Sequence, residues 1–180
     1  MSNETLTKNA TVNLNGNQNG KTKKRAFARL GYSKLETVEI VEAMNKLLAD
    51  YSVHYQKLRN FHWNVKGGDF FDVHEKFEEE YNYAKVAIDD LAERIRVFGQ
   101  TPLSTLKEYL ENSDIKESGT DLSSLEMIRE ILKDYELLLE QMFSVLEVAI
   151  ENGDSGTEDL IKGLVKHTEK RHWMFSAFIA

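Results

Sequence analysis

From Val41 onward the chain spaces its apolar residues alternately three and four apart. Val41, Met44, Leu48, Tyr51, Tyr55, Leu58 and His62 form the first such series. On an α-helix this spacing stacks them in one stripe along a single face. The pattern returns in Phe77, Tyr81, Ala84, Ile88, Leu91, Ile95 and Phe98, then in Leu125, Ile128, Leu132, Tyr135, Leu139, Met142, Leu146 and Ala149. A fourth, shorter series runs through Leu160, Leu164, His167, Met174 and Phe178. No stretch follows the strict alternation of a half-buried strand. An amphipathic helix hides its stripe only against other stripes, so four long helices predict an all-α four-helix bundle.

The breaks between the series set the connectivity. Ser33-Lys-Leu-Glu36 reads as a capping box that opens the first helix, and Gly67-Gly68 ends it. Gly99 closes the second helix, and the NGDSGT turn at 152–157 separates the third from the fourth. Between the second and third helices the chain is long. The only proline, Pro102, opens this stretch, and STLKEYLEN within it can form a short helix. The expected topology is therefore a bundle with one long crossover connection carrying a short helix, over residues 33–180. Residues 1–32 are rich in Asn, Thr, Gly and Lys and lack the apolar content to offset chain ordering, so they read as a flexible basic tail.

At 180 residues and 41% hydrophobic content the chain suits one domain with a real core. It contains no cysteine, which excludes disulfides, thiolate metal sites and cysteine nucleophiles. No apolar run of about 18 residues and no leader-like segment is present, so the expectation is a soluble cytoplasmic protein without a membrane partner. The formal charge of −7 argues against a general nucleic-acid binder, yet it is unevenly spread. Residues 1–31 hold six Lys/Arg, among them Lys21, Lys23, Lys24 and Arg25, against Glu4 alone. That is +5 on the tail, which leaves −12 on the rest.

Two pairs on the second helix stand at i, i+4, the spacing at which two side chains can share a metal ion: His74 with Glu78, and Asp89 with Glu93. The eleven residues from Glu78 to Asp89 are almost three full turns, so both pairs point the same way, about 16 Å apart along the axis. One chain cannot close both around one ion. Two copies of the helix, antiparallel about a two-fold axis near residues 83 and 84, bring His74 and Glu78 of one opposite Asp89 and Glu93 of the other. His62, inward at the end of the first stripe, adds a nitrogen ligand. Two histidines and three carboxylates without sulfur suit iron, or manganese or zinc by substitution. Charged pairs at this spacing also occur on solvated helix faces. His54, His167 and Glu169, the last in a single E-x-x-H with His172, read as structural.

Several longer motifs point further. NFHWNVKG at 60–67, FxxxHEKFE at 70–78, DDLAERIRxxG at 89–99, TPLSTLKEYL at 101–110 and WMFSAF at 173–178 closely resemble the Dps family, the small ferritins of starved bacterial cells. The resemblance spans residues 35–178. It implies a ferritin-like fold and a hollow homododecamer whose intersubunit ferroxidase centres oxidise Fe(II), preferably with hydrogen peroxide, and deposit ferric oxide inside, protecting DNA. The ligands it implies are His62, His74 and Glu78 of one subunit and Asp89 and Glu93 of its two-fold neighbour. Glu78 stands where the family often has Asp. The resemblance also makes Trp63 a radical-intercepting side chain beside the centre, and Glu151, Asp154, Glu158 and Asp159 candidates for an iron-entry pore. Two other readings stay open: a DNA-compacting protein of the bacterial nucleoid with a vestigial or structural metal site, and a peroxide-reducing di-iron enzyme without storage.

Overall fold

The computed structural model describes residues 34–180, all helix and loop, with no strand among them. The basic tail with Lys21, Lys23, Lys24 and Arg25, and Ser33 of the expected capping box, lie outside the described residues. The helices are α1 (Lys34–Asn64), α2 (Phe70–Val97), α3 (Leu106–Asn112), α4 (Ser124–Glu151) and α5 (Ser155–Phe178). Short turns at 65–69 and 152–154 join α1 to α2 and α4 to α5 as antiparallel hairpins, while residues 98–123 cross between the hairpins and carry α3. The bundle closes chiefly through α1, which packs on α2, α4 and α3. None of the described helices is long and apolar enough to cross a membrane.

The stripes of α1 and α2 are buried as the periodicity predicts, with Tyr55, Tyr81 and Ile88 half-buried at their edges. Those of α4 and α5 are rotated. In α4 the buried line runs through Ile128, Ile131, Tyr135, Leu138, Met142, Val145 and Ala149, whereas Leu125 is exposed. Two interleaved series, each spaced three and four apart, share Ile128, Tyr135, Met142 and Ala149, and periodicity alone cannot choose between them. In α5 the core takes Thr157, Ile161, Leu164, Thr168 and Phe175, leaving Met174 and Phe178 exposed. Packing against the neighbouring helices makes the choice, and that is a tertiary quantity.

Polar anchors set the register between helices. Asn45 and Asp50 of α1 hold the crossover: Asn45 Oδ1 accepts from Leu103 N at 2.9 Å, and Asp50 Oδ1 accepts from Ser113 Oγ at 2.8 Å and Asp114 N at 2.7 Å. Burial pushes the Asp50 carboxyl above its usual range, against the lowering effect first of the Ser113 hydroxyl. Thr105 and Ser123 open α3 and α4 with capping boxes completed by Glu108 and Glu126. Arg94 of α2 pairs with Asp154 and donates from Nε to Thr157 Oγ1 at 3.0 Å, tying α2 to the start of α5. Gly156 makes room for that guanidinium, because a Cβ there would lie 2.8 Å from it.

Deeper in the bundle, Asp134 of α4 accepts from His54 Nδ1 at 2.9 Å and from Lys57 Nζ at 2.6 Å, all three side chains being buried. Glu80 of α2 similarly accepts from Tyr135 Oη at 2.8 Å and meets Arg171 Nε at 2.6 Å and His167 Nε2 at 3.1 Å. His54 and His167 thus have structural places. Removing one partner of a buried pair strands the other charge away from water, which costs more than the pair contributes net. Asp134→Asn should therefore lower unfolding stability by about 3 kcal/mol, read as a fall in Tm. Glu130→Gln, which breaks only the exposed pair with Lys133, should leave Tm nearly unchanged.

Candidate metal centre

The α1–α2 hairpin brings together residues twelve apart in sequence. Val65 N closes the last turn of α1 onto Phe61 O at 2.8 Å, Gly67 takes φ of 125°, and Phe70 N bonds Gly67 O at 3.3 Å as α2 begins. The reversal sets His62, buried in the last turn of α1, against His74, half-buried near the start of α2. Their hydrogen bonds are reciprocal. His62 Nδ1 donates to His74 O at 2.9 Å, and His74 Nδ1 donates to His62 O at 2.8 Å. Since a carbonyl only accepts, each Nδ1 carries its hydrogen, and Nε2 of each ring is the atom left to bind a metal.

Aromatic packing holds the two rings in place. They stack at 3.8 Å between centroids, Phe70 stacks on His74 at 4.8 Å, and Tyr81 meets the His62 ring edge-on at 5.3 Å. Glu78, one turn beyond His74 and exposed, completes a group of three potential ligands whose donor atoms lie within 4.8 Å of one another. Ligands about 2.1 Å from one ion span roughly 4 Å, so small side-chain shifts would close this group around an ion. Two imidazole nitrogens and a carboxylate oxygen are a donor set for a first-row divalent ion such as iron, and half of a coordination shell is left to other groups.

Asp89 and Glu93 do not reach this cluster within the chain. Both are exposed on α2, about three and four turns past Glu78. Trp63 is 59% exposed, with the Arg59 guanidinium 4.7 Å above its ring. The acidic residues near α5 take different places. Glu151 and Asp159 are exposed, and Glu158 pairs with Lys162. Asp154 is fully buried, caps α5 through Thr157 N at 3.2 Å and pairs with Arg94. Within the chain its carboxylate therefore faces Arg94 and the start of α5.

Three contributors escaped the sequence reading. Phe70 and His74 stand at i, i+4, as do Arg59 and Trp63, and Tyr81 follows Glu78 at i+3 with its hydroxyl donating to Glu78 Oε1 at 3.2 Å. In the sequence Tyr81 is one position of an apolar stripe. Burial, then the Glu78 hydrogen bond and charge, raise its phenol above the ordinary tyrosine range, so it remains a donor.

The ferritin-like domain model matches residues 41–180. The DNA protection during starvation protein 2 of Bacillus anthracis is 44% identical over 141 residues, covering 78% of this chain and 97% of that protein. Among solved structures, the Vibrio cholerae Dps protein, described as a member of a broad superfamily of ferritin-like diiron-carboxylate proteins, aligns with a TM-score of 0.81 and 35% identity over 83% of this chain and 94% of its own. Dps from Staphylococcus aureus aligns at 0.76 with 40% identity, over 78% and 95%.

The turn that builds the cluster has one position where only glycine is at ease. A side chain on Gly67 at φ of 125° would be strained, with its Cβ 3.3 Å from Asp69 Oδ1, whereas nothing lies within 4 Å of a Cβ on Gly68. Gly67→Ala should cost about 2 kcal/mol of stability and weaken Zn(II) binding by shifting His62 from His74. Gly68→Ala should change neither, with Tm and calorimetric titration as the readouts.

Proposed function

Since the chain belongs to the Dps family of ferritin-like proteins, whose general function is iron storage with protection of DNA, we propose that it oxidises Fe(II) at centres shared between two subunits and keeps the ferric product inside a twelve-subunit shell. The observation that carries this reading is the half-built cluster of His62, His74 and Glu78, with two exposed carboxylates, Asp89 and Glu93, about three and four turns along the same helix. An antiparallel neighbour on α2 would lay Asp89 and Glu93 against the cluster at both ends of the two-fold contact. The same contact would cover a groove of about 500 Å³ between α1, α2 and α3, bordered by Tyr55, Ile88, Leu106 and Leu110. Leu106 there is 80% exposed, and an apolar side chain so placed gains by being covered.

In this mechanism iron is substrate. His62 and His74 supply Nε2, already aimed by their Nδ1 bonds, and the three carboxylates offset the positive charge that rises as Fe(II) becomes Fe(III). Hydrogen peroxide is the oxidant that suits a paired site. Two ferrous ions give one electron each, the peroxide takes up two protons, and two waters leave, so no hydroxyl radical is released. Trp63, next to His62 in the chain and capped by Arg59, would give up an electron when only one ferrous ion is present. Glu151, Glu158 and Asp159 remain candidates to draw iron toward an entry pore, and Zn(II) or Mn(II) would substitute in the centre. The protein would work in the bacterial cytoplasm.

Mixed shells give the sharpest test of a shared centre. His62→Ala and Glu93→Gln shells should each lose most peroxide-driven Fe(II) oxidation while native mass measurement still reports twelve subunits. Co-assembling the two variants should restore activity, because in a mixed dimer one of the two centres is intact. No recovery on mixing would remove the intersubunit centre.

The tail offers a DNA contact that the −12 core opposes. Screening acts over about 8 Å at physiological salt, so a single +5 tail holds DNA weakly, whereas twelve on one shell act together. We propose sequence-independent binding through Lys21, Lys23, Lys24 and Arg25. A gel shift across a salt series should show retardation by the full chain at low salt that fades steeply as salt rises. The chain beginning at Ser33 should show none. Equal retardation by both would assign DNA binding elsewhere.

A further inference from the structure

Of the three ligands that the α1–α2 hairpin brings together, one is little restrained by its own geometry. His62 and His74 are pinned by mutual hydrogen bonds and by stacking, but Glu78 is exposed and carries its carboxylate on a longer side chain than Asp would. An unrestrained carboxylate on a helix surface samples several rotamers, and binding a metal must freeze them. Among the described residues the group that fixes Glu78 is Tyr81. Its ring stands edge-on to His62 at 5.3 Å and to Tyr55 at 6.2 Å, so the phenol is held between α1 and α2. From there its hydroxyl donates to Glu78 Oε1 at 3.2 Å, which leaves Oε2 for the ion.

We propose that Tyr81 is a positioning residue of the metal centre, whose hydroxyl holds the Glu78 carboxylate in its coordinating orientation and so compensates for that side chain's extra methylene. The proposal rests on the reading of His62, His74 and Glu78 as metal ligands. It assigns Tyr81 two separable contacts: its ring supports His62, and its hydroxyl acts through Glu78. A merely structural tyrosine would need only the ring.

Anaerobic titration with Co(II), followed by its visible absorption, separates the two. Tyr81→Phe keeps the ring and removes the donor, and should weaken Co(II) binding by about tenfold, the low end for loss of a hydrogen bond to a metal ligand. In the Glu78→Asp background the carboxylate is drawn back from the hydroxyl by one methylene, so Tyr81→Phe should there change the affinity by less than about twofold. Equal affinity of Tyr81→Phe and the unaltered protein would overturn the proposal. Equal losses in both backgrounds would overturn it too, since the hydroxyl would then act by a route other than its hold on Glu78. Failure of the underlying reading looks different: Co(II) binding that survives His62→Ala unchanged, or that is absent from the unaltered protein, removes the centre and the proposal with it.

Discussion

The reciprocal hydrogen bonds between His62 and His74 tie the candidate chemistry to the fold. Each imidazole is held by the backbone of the other's helix, so the ring positions are set by how α1 and α2 pack and by the turn between them. Anything that slides one helix along the other breaks both bonds at once. Phe70, His74, His62 and Tyr81 then form a continuous aromatic wall, with both Nδ1 atoms bonded to backbone carbonyls and the Tyr81 hydroxyl to Glu78. A metal site built this way needs little rearrangement when loaded, because its nitrogen ligands are oriented before the ion arrives.

The remainder of the bundle protects that register with buried polar pairs. Asp134 joins α4 to α1 through His54 and Lys57, and Glu80 joins α2 to α4 and α5 through Tyr135, His167 and Arg171. Apolar residues of similar volume could be as stabilising, since removing charges from water is costly. Their effect is one of direction: a Leu slides along a groove at little cost, whereas a buried carboxylate with two donors tolerates only one alignment. Asp50 and Asn45 do the same for the crossover, holding α3 against α1, where its exposed Leu106 and Leu110 border the groove beside α2.

What the isolated fold leaves uncovered matches what the centre lacks. Asp89 and Glu93 are exposed on the same helix as the partial cluster, and Leu106, Leu110 and Val86 expose apolar surface nearby. The distance along α2 from Glu78 to Asp89 is a property of helix geometry and cannot be closed by side-chain motion. Assembly would satisfy the metal and the apolar surface with one contact. Iron chemistry would then be confined to the assembled protein.

The sequence by itself determined the all-α class, the four long helices, the crossover, and the places of His62, His74, Glu78, Asp89 and Glu93 on their helices, because periodicity and turn residues act over a few neighbouring positions. It also established that the two halves of α2 could not serve one ion within one chain, since the rise per residue of a helix is constant. Tertiary structure alone decided which of two interleaved lines faces the core in α4 and α5, because both lines have the same period and only packing against the neighbouring helices separates them. It decided that Asp154 is a buried cap paired with Arg94, and that Tyr81 turns its hydroxyl to Glu78. Those outcomes depend on side chains of other helices, and a linear pattern carries no record of the angle at which two helices meet.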